Sequence, residues 1–144
     1  MSGTFHEILR GMSEEKVELV RQALRAFNEG GADAAAAYYD PAVVLDNTHS
    51  PFPDAGVYRG LESVRGWFDG LADAFGEISY EVETVRDLGD QVAVLLRVRG
   101  RAPHTGIEID YRFAPLITVH SGKIVRIDRF PGLDEALEAT ELSE

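Results

Sequence analysis

The sequence predicts an α+β fold, in which one curved antiparallel sheet curls around a long first helix and three main helices close it. Three observations carry this. Residues 13–75 show apolar positions at helical spacing, interrupted by one short strand, whereas residues 78–130 alternate apolar and polar side chains in four runs joined by hairpin turns. Helices segregated from consecutive antiparallel strands are the α+β arrangement. A chain of 144 residues is also long enough to bury about two-thirds of its unfolded surface in one domain.

The elements follow in order. Residues 1–12 lack strong periodicity and are read as an N-terminal leader, with residues 13–144 as the single domain. Ser13, followed by Glu14 and Glu15, is a helix start, because the hydroxyl caps orphan amides and the acids favour the positive dipole end. Val17, Val20, Leu24 and Phe27 then recur at helical spacing until Gly30 and Gly31 stop the helix. Asp33 opens an alanine-rich second helix that Asp40-Pro41 closes, since the residue before proline leaves the helical region. Ala42–Asn47 reads as a strand and Thr48–Gly56 as a loop. Gly60 precedes a third helix with Leu61, Val64, Phe68, Leu71 and Phe75 on one face. Gly66 and Gly70 inside it call for a close neighbour, since each costs roughly 1 kcal/mol relative to alanine. Ile78, Tyr80 and Val82 mark the buried face of the next strand. Strands over Val92–Arg101, Ile107–Val119 and Ile124–Phe130 follow, then a short last helix around Leu133 and Leu137.

Composition removes several function classes. The chain has no cysteine, so disulfides, thiolate nucleophiles and cysteine-bound metals are excluded. Its longest apolar runs are far shorter than the roughly 20 residues a membrane span needs, and together these facts make a cytoplasmic protein the expectation. A net charge of −11 disfavours nucleic acid and anionic membranes as partners. Residues 91–129 alone are net basic, with 7 cations against 3 acids. The four histidines show no two-ligand spacing, and no G-x-S-x-G elbow, P-loop or G-x-G-x-x-G is present, so no metal and no cofactor is expected.

The texts Ala26-Phe27-Asn28-Glu29-Gly30, Tyr39-Asp40-Pro41-Ala42-Val43-Val44, Gly56-Val57-Tyr58-Arg59-Gly60 and Gly122-Lys123-Ile124-Val125-Arg126-Ile127, in this order of elements, resemble the SnoaL-like branch of the nuclear transport factor 2-like superfamily. The resemblance covers roughly residues 13–139. It implies a cone-shaped sheet with an apolar pocket in its mouth and a homodimer formed through the outer sheet face. It also implies activities among steroid isomerases, polyketide aldol cyclases and epoxide hydrolases, or no catalysis. At the positions of the steroid isomerase donors this chain carries Ala23 and, near the second, Pro115. Arg97 matches the arginine of limonene epoxide hydrolase, but its two aspartate positions read Arg99 and Arg129. For the cyclases, Asp46 or Asp128 could serve as the buried acid.

Asp46 is the first candidate for catalysis. It ends an apolar strand, where desolvation would raise its pKa toward a useful base; alternatively it accepts hydrogen bonds from amides of the 47–49 loop. Arg97 and Arg99 share a strand face with Arg101, opposite Val94, Leu96 and Val98, and two registers are open. In one, Arg97 faces Asp110 and Arg99 faces Glu108 in a solvent-side ladder. In the other, both arginines point into the cone and the valine-leucine face forms a dimer surface; a one-residue slip exchanges the two. Arg129 could pair with Asp46 or meet a ligand's anionic group. His49 is a candidate proton shuttle, Tyr58 a hydroxyl donor, and Phe52 and Trp67 pocket lining. The function expected is binding of a small apolar molecule bearing a polar or anionic group. If it is an enzyme, it transfers protons as an isomerase or aldol cyclase acting on a ketone, with Asp46 as base and Arg97 or Arg129 stabilising negative charge. The competing expectation is a non-catalytic ligand-binding or dimeric assembly module.

Overall fold

The computed structural model describes residues 5–49, 55–76 and 78–142. Helix α1 covers Phe5–Ala35 and is followed by a 3₁₀ turn, Ala36–Tyr38. Then come β1 (Tyr39–Asp46), β2 (Val57–Arg59), α2 (Leu61–Phe75), β3 (Ser79–Asp87), β4 (Gln91–Arg101), β5 (Glu108–His120), β6 (Lys123–Phe130) and α3 (Leu133–Leu142). The six strands form one curved, unclosed sheet in the order β2-β1-β6-β5-β4-β3. It is mixed rather than wholly antiparallel, because β1 pairs with β6 in parallel.

Three boundaries differ from the sequence expectation. The helix begins at Phe5 rather than Ser13, so part of the expected leader is helical; no proline interrupts residues 5–13, and the capping preference of Ser13 does not stop the helix. The break falls at Gly31 as expected, where φ is 72°. The second helical stretch expected from Asp33 follows the break, as residues 32–35 and the 3₁₀ turn, but it ends at Tyr38 and β1 starts at Tyr39 rather than Ala42. The strand accommodates Pro41 where its register against β6 shifts, between Tyr39 and Val44, which is where a strand tolerates a residue without an N–H.

The sheet has two faces of different chemistry. On the inner face Val43, Leu45, Val92, Val94, Leu96 and Val98 pack with Val20 and Ala23 of α1 and Val64 of α2. On the outer face Ala93, Ala114, Leu116 and Phe130 pack against Ala136 of α3. Beyond α3 the outer face carries a charged ladder in which Arg97 pairs with Asp110 (2.7 Å), Arg99 with Glu81 (3.6 Å) and Arg101 with Glu108 (2.6 Å). The ladder register is therefore the one adopted, and Val94, Leu96 and Val98 are inner wall rather than a dimer surface. The β4–β5 pairing sets Arg97 opposite Arg112 and Arg99 opposite Asp110, two residues from the expected match. An even shift keeps every side chain on its face, and Arg97 reaches Asp110 diagonally. The alternative slip would bury the guanidinium groups of Arg97 and Arg99 and expose three apolar residues.

Gly66 and Gly70 have no close neighbour, since an added Cβ would meet nothing within 4 Å at either. Gly76, where α2 ends at φ 75°, is different: a Cβ there would press on the Arg101 carbonyl oxygen, so glycine lets the helix end sit on β4.

A single side chain ties α1 to the edge strand β3. The Asn28 Nδ2 donates to the Tyr80 carbonyl (2.8 Å), and its Oδ1 accepts from the Tyr80 amide (2.9 Å). Both backbone groups of an edge residue are thereby satisfied, which also denies that edge to another strand. Asn28→Ala is expected to lower stability by about 2 kcal/mol, because it leaves a donor and an acceptor without partners. Urea denaturation at equilibrium measures it; a loss below about 0.5 kcal/mol would show that the clamp is dispensable.

Candidate functional site

Between α1, α2 and the inner sheet face lies a cavity of about 50 Å³. Its wall is apolar, with Leu24 and Phe27 from α1, Phe68 from α2, and Leu45, Leu96, Phe113 and Ile127 from the strands. Polar groups enter from three places only among the described lining residues: the phenols of Tyr39 and Tyr80 and the guanidinium of Arg129. Ala23 and Pro115 also line the wall, so the positions that carry the steroid isomerase donors are present but hold no donor.

Arg129 is 7% exposed and is the single charged residue among the described ones that line the cavity. No carboxylate pairs with it among the described residues. Its guanidinium lies over Phe113 at 4.2 Å and over Trp67 at 4.8 Å from the ring centroids. These ring faces supply part of the lost hydration, yet the N–H fork has no anionic partner among the described residues. The phenols nearby are locked in the neutral form. Burial pushes the Tyr80 pKa up to about 12, with Arg129 pulling it down and Tyr111 pushing it up. Burial, and then the neighbouring Tyr80, push Tyr39 higher still. At neutral pH the wall therefore offers hydrogen-bond donors and one positive charge.

The residues singled out from the sequence fall in different places. Asp46 stands on the outer face, opposite to the cavity, because Leu45 before it points inward. Its carboxylate accepts from the Thr48 hydroxyl (2.5 Å), the Thr48 amide (2.9 Å) and Arg126 (3.1 Å), while Arg126 also pairs with Asp128 (3.0 Å). Of the two readings of Asp46, the geometry is that of an acid anchoring its own loop. Arg126, and not Arg129, is its cation. Burial pushes the Asp46 pKa up, but the Thr48 hydrogen bonds and the neighbouring Arg126 and His49 outweigh it, so the carboxyl lies below the ordinary aspartate value. This is the reverse of the shift expected for a base.

Arg97 and Arg99 are held in the outer ladder and do not reach the cavity. His49 stacks on Phe130 at 4.4 Å, a residue of the cluster beneath α3, rather than at the cavity mouth. Tyr58 and Trp67 pack with the inner core, their rings 6.2 Å apart, and Trp67 bears on Arg129 as an aromatic wall. Phe52 lies outside the described residues. The structure thus brings Trp67 and Arg129 together at the cavity and leaves Asp46, Arg97, Arg99 and His49 outside it.

Similarity to known proteins accords with this architecture. The SnoaL-like domain profile matches residues 20–127. The chain belongs to the SnoaL-like domain family. An uncharacterized protein of Mycobacterium tuberculosis strain H37Rv is 32% identical over 118 residues, 79% of this chain and 86% of that protein. Among solved structures, a nuclear transport factor 2-like protein of Burkholderia thailandensis has a TM-score of 0.69 at 26% identity, covering 88% of this chain and 95% of that one. TerC co-crystallized with polyporic acid has a TM-score of 0.71 at 15% identity, over 88% and 98% of the two chains. Within this SnoaL-like fold, no helix among the described residues is long and apolar enough to cross a membrane.

Two polar wall residues of the SnoaL-like cavity escape sequence reasoning. Tyr80 carries a signal, its inward place in the alternation of β3, but that pattern fits a core residue equally. Tyr39 has none, since it reads as the end of a helix. The altered role of Asp46 is testable. Because its folded pKa is depressed, Asp46 stabilises the protein above its unfolded pKa near 3.9, and that contribution fades as pH falls through the lower folded value. Asp46→Asn is expected to cost about 1 kcal/mol at neutral pH, with the difference from wild type closing below about pH 4. Denaturation curves across pH test this; a difference that grows on acidification would contradict it.

Proposed function

We propose that this SnoaL-like protein binds a small apolar molecule through one anionic or strongly polar oxygen, which Arg129 receives inside the cavity. The observation that carries the proposal is the buried guanidinium without a carboxylate partner among the described residues, set in an otherwise apolar and phenolic wall. A buried cation of this kind is destabilising unless something anionic compensates it. A ligand oxygen is the natural complement, because guanidinium offers two parallel donors to a carboxylate. Tyr39 and Tyr80, both neutral, add donors for the same oxygen or a neighbouring one.

Binding is the reading adopted over proton transfer on a ketone. Abstraction of a carbon-bound proton needs an acceptor on the wall, and the described lining residues hold phenols and a guanidinium, which are donors at neutral pH. The cavity also favours small ligands. At about 50 Å³ it holds a few water-sized groups, whereas a dry cavity that accepts benzene is about 150 Å³. Butyrate, with six non-hydrogen atoms like benzene, requires the wall to give way as a small ring does, at Phe27 and Phe68, whose ring centroids are 5.1 Å apart. That TerC, of related fold, was co-crystallized with polyporic acid is in keeping with small-molecule binding by this fold.

Calorimetric titration with butyrate, and with butyramide as the uncharged analogue of the same shape, tests the proposal. Wild type should prefer butyrate, and Arg129→Met should lose butyrate affinity by about 10-fold to 100-fold, the worth of a charged hydrogen bond. The same substitution should leave the ligand-free protein at least as stable, since it removes a buried uncompensated charge. Equal binding of the acid and the amide by wild type would overturn the proposal.

A further inference from the structure

The cavity wall divides into two zones along the sheet. β5 contributes Phe113, Pro115 and Ile117 in turn to the lining, and the register sets Leu96 beside Phe113, Arg129 beside Pro115 and Ile127 beside Ile117. Arg129 thus enters from the middle row, and its guanidinium turns to one side, over the Phe113 ring at 4.2 Å from the centroid. That side carries four rings. Phe113 meets Tyr80 (6.1 Å between centroids), Tyr80 meets Phe27 (5.0 Å) and Phe27 meets Phe68 (5.1 Å), and all four line the cavity. The other side is mainly aliphatic, with Ile117, Ile127 and Leu45 followed by Ile124, which the register sets beside Tyr39. The rings are gathered at the cation rather than spread around the wall.

We infer that the ligand of this cavity is a conjugated acid, flat at its carboxylate end, whose π system lies among Phe113, Tyr80 and Phe27 and whose saturated part points toward Ile117 and Ile127. This rests on the proposed role of Arg129 and names the class of acid. A carboxylate pairs with a guanidinium through two parallel hydrogen bonds, so its oxygens are drawn to the ring-lined side where the guanidinium already lies. In a conjugated acid the next two carbons stay in the carboxylate plane and present a π face and a rim of C–H edges. The wall rings are inclined to one another by 58° to 66°, so they offer both faces and edges toward the space they enclose. Ring faces are negative and ring edges positive, which favours contact with another π system over contact with a saturated chain. A saturated chain leaves the carboxylate plane freely and brings no π face to these rings.

Crotonate and butyrate carry the same charge and the same number of non-hydrogen atoms, so calorimetric titration of each compares a flat acid with a saturated one at equal size. Wild type is expected to bind crotonate about threefold to tenfold more tightly, the contribution of one ring contact. Crotonate is also the more rigid of the two, and Phe113→Leu separates the causes, since a preference supplied by the rings vanishes in the variant and one supplied by rigidity persists. NMR of crotonate bound to wild type reads the orientation without any variant: the protons on carbons 2 and 3 should show larger ring-current shifts than the methyl protons. Equal affinity of wild type for the two acids, a preference that survives in Phe113→Leu, or a shift largest at the methyl group would overturn this inference while leaving the role of Arg129 standing. Wild type that binds neither acid would overturn both.

Discussion

The alternation of side chains along a strand is the constraint on which the site depends. β1 and β6 run parallel, and their register matches Leu45-Asp46 of one with Ile127-Asp128 of the other, Arg129 coming next along β6. With period two, one member of each pair must face out and the other in. The apolar neighbours Leu45 and Ile127 decide which, because they belong to the inner core. Both aspartates therefore go to the outer face, where Arg126 bridges them. Arg129 goes to the inner face, where no described acid meets it. A slip of one residue in either strand would turn a cationic cavity into an acidic one.

The two faces then manage their charge in different ways. Outside, the acids beside Arg126 are largely covered, at 13% and 14% exposed, and each has a cation and hydrogen bonds to compensate burial. The Arg97, Arg99 and Arg101 ladder lies in the more solvated part of that face, where water screens each ion pair and its contribution to stability is small. Inside, Arg129 meets only ring faces among the described residues. Polar groups left uncompensated in a core lower stability, and they are retained where a ligand completes them. The clamp of Asn28 on Tyr80 and the close fit of Gly76 on β4 hold α1 and α2 over this region, so Arg129 faces a cavity rather than open solvent.

Much of the fold was legible because it follows from local patterns. The four hairpin-linked strands, the break at Gly31 and the helix after Gly60 all come from periodicity and from residues with strong backbone preferences. The parallel pairing of β1 with β6 was not legible, since it joins segments some 80 residues apart through no local signal. The site followed the same division. Arg129 and Trp67 were identifiable as a cation and an aromatic in segments expected to line a pocket. Asp46 was misplaced because a strand-ending acid reads the same on either face until its strand partners are known. Arg97 and Arg99 stood between two registers that differ by one residue, and the partners Asp110 and Glu81 decide between them.

The central claim is that a cation inside the sheet, and none of the cations outside it, meets the ligand. Side-chain Nε–Hε resonances of arginine in ¹⁵N-arginine-labelled protein, followed by NMR through a butyrate titration, test it most directly. The account predicts a saturable shift of the Arg129 resonance with Arg97, Arg99 and Arg126 unmoved. A shift confined to the outer-face arginines, with Arg129 unchanged at saturating butyrate, would contradict it.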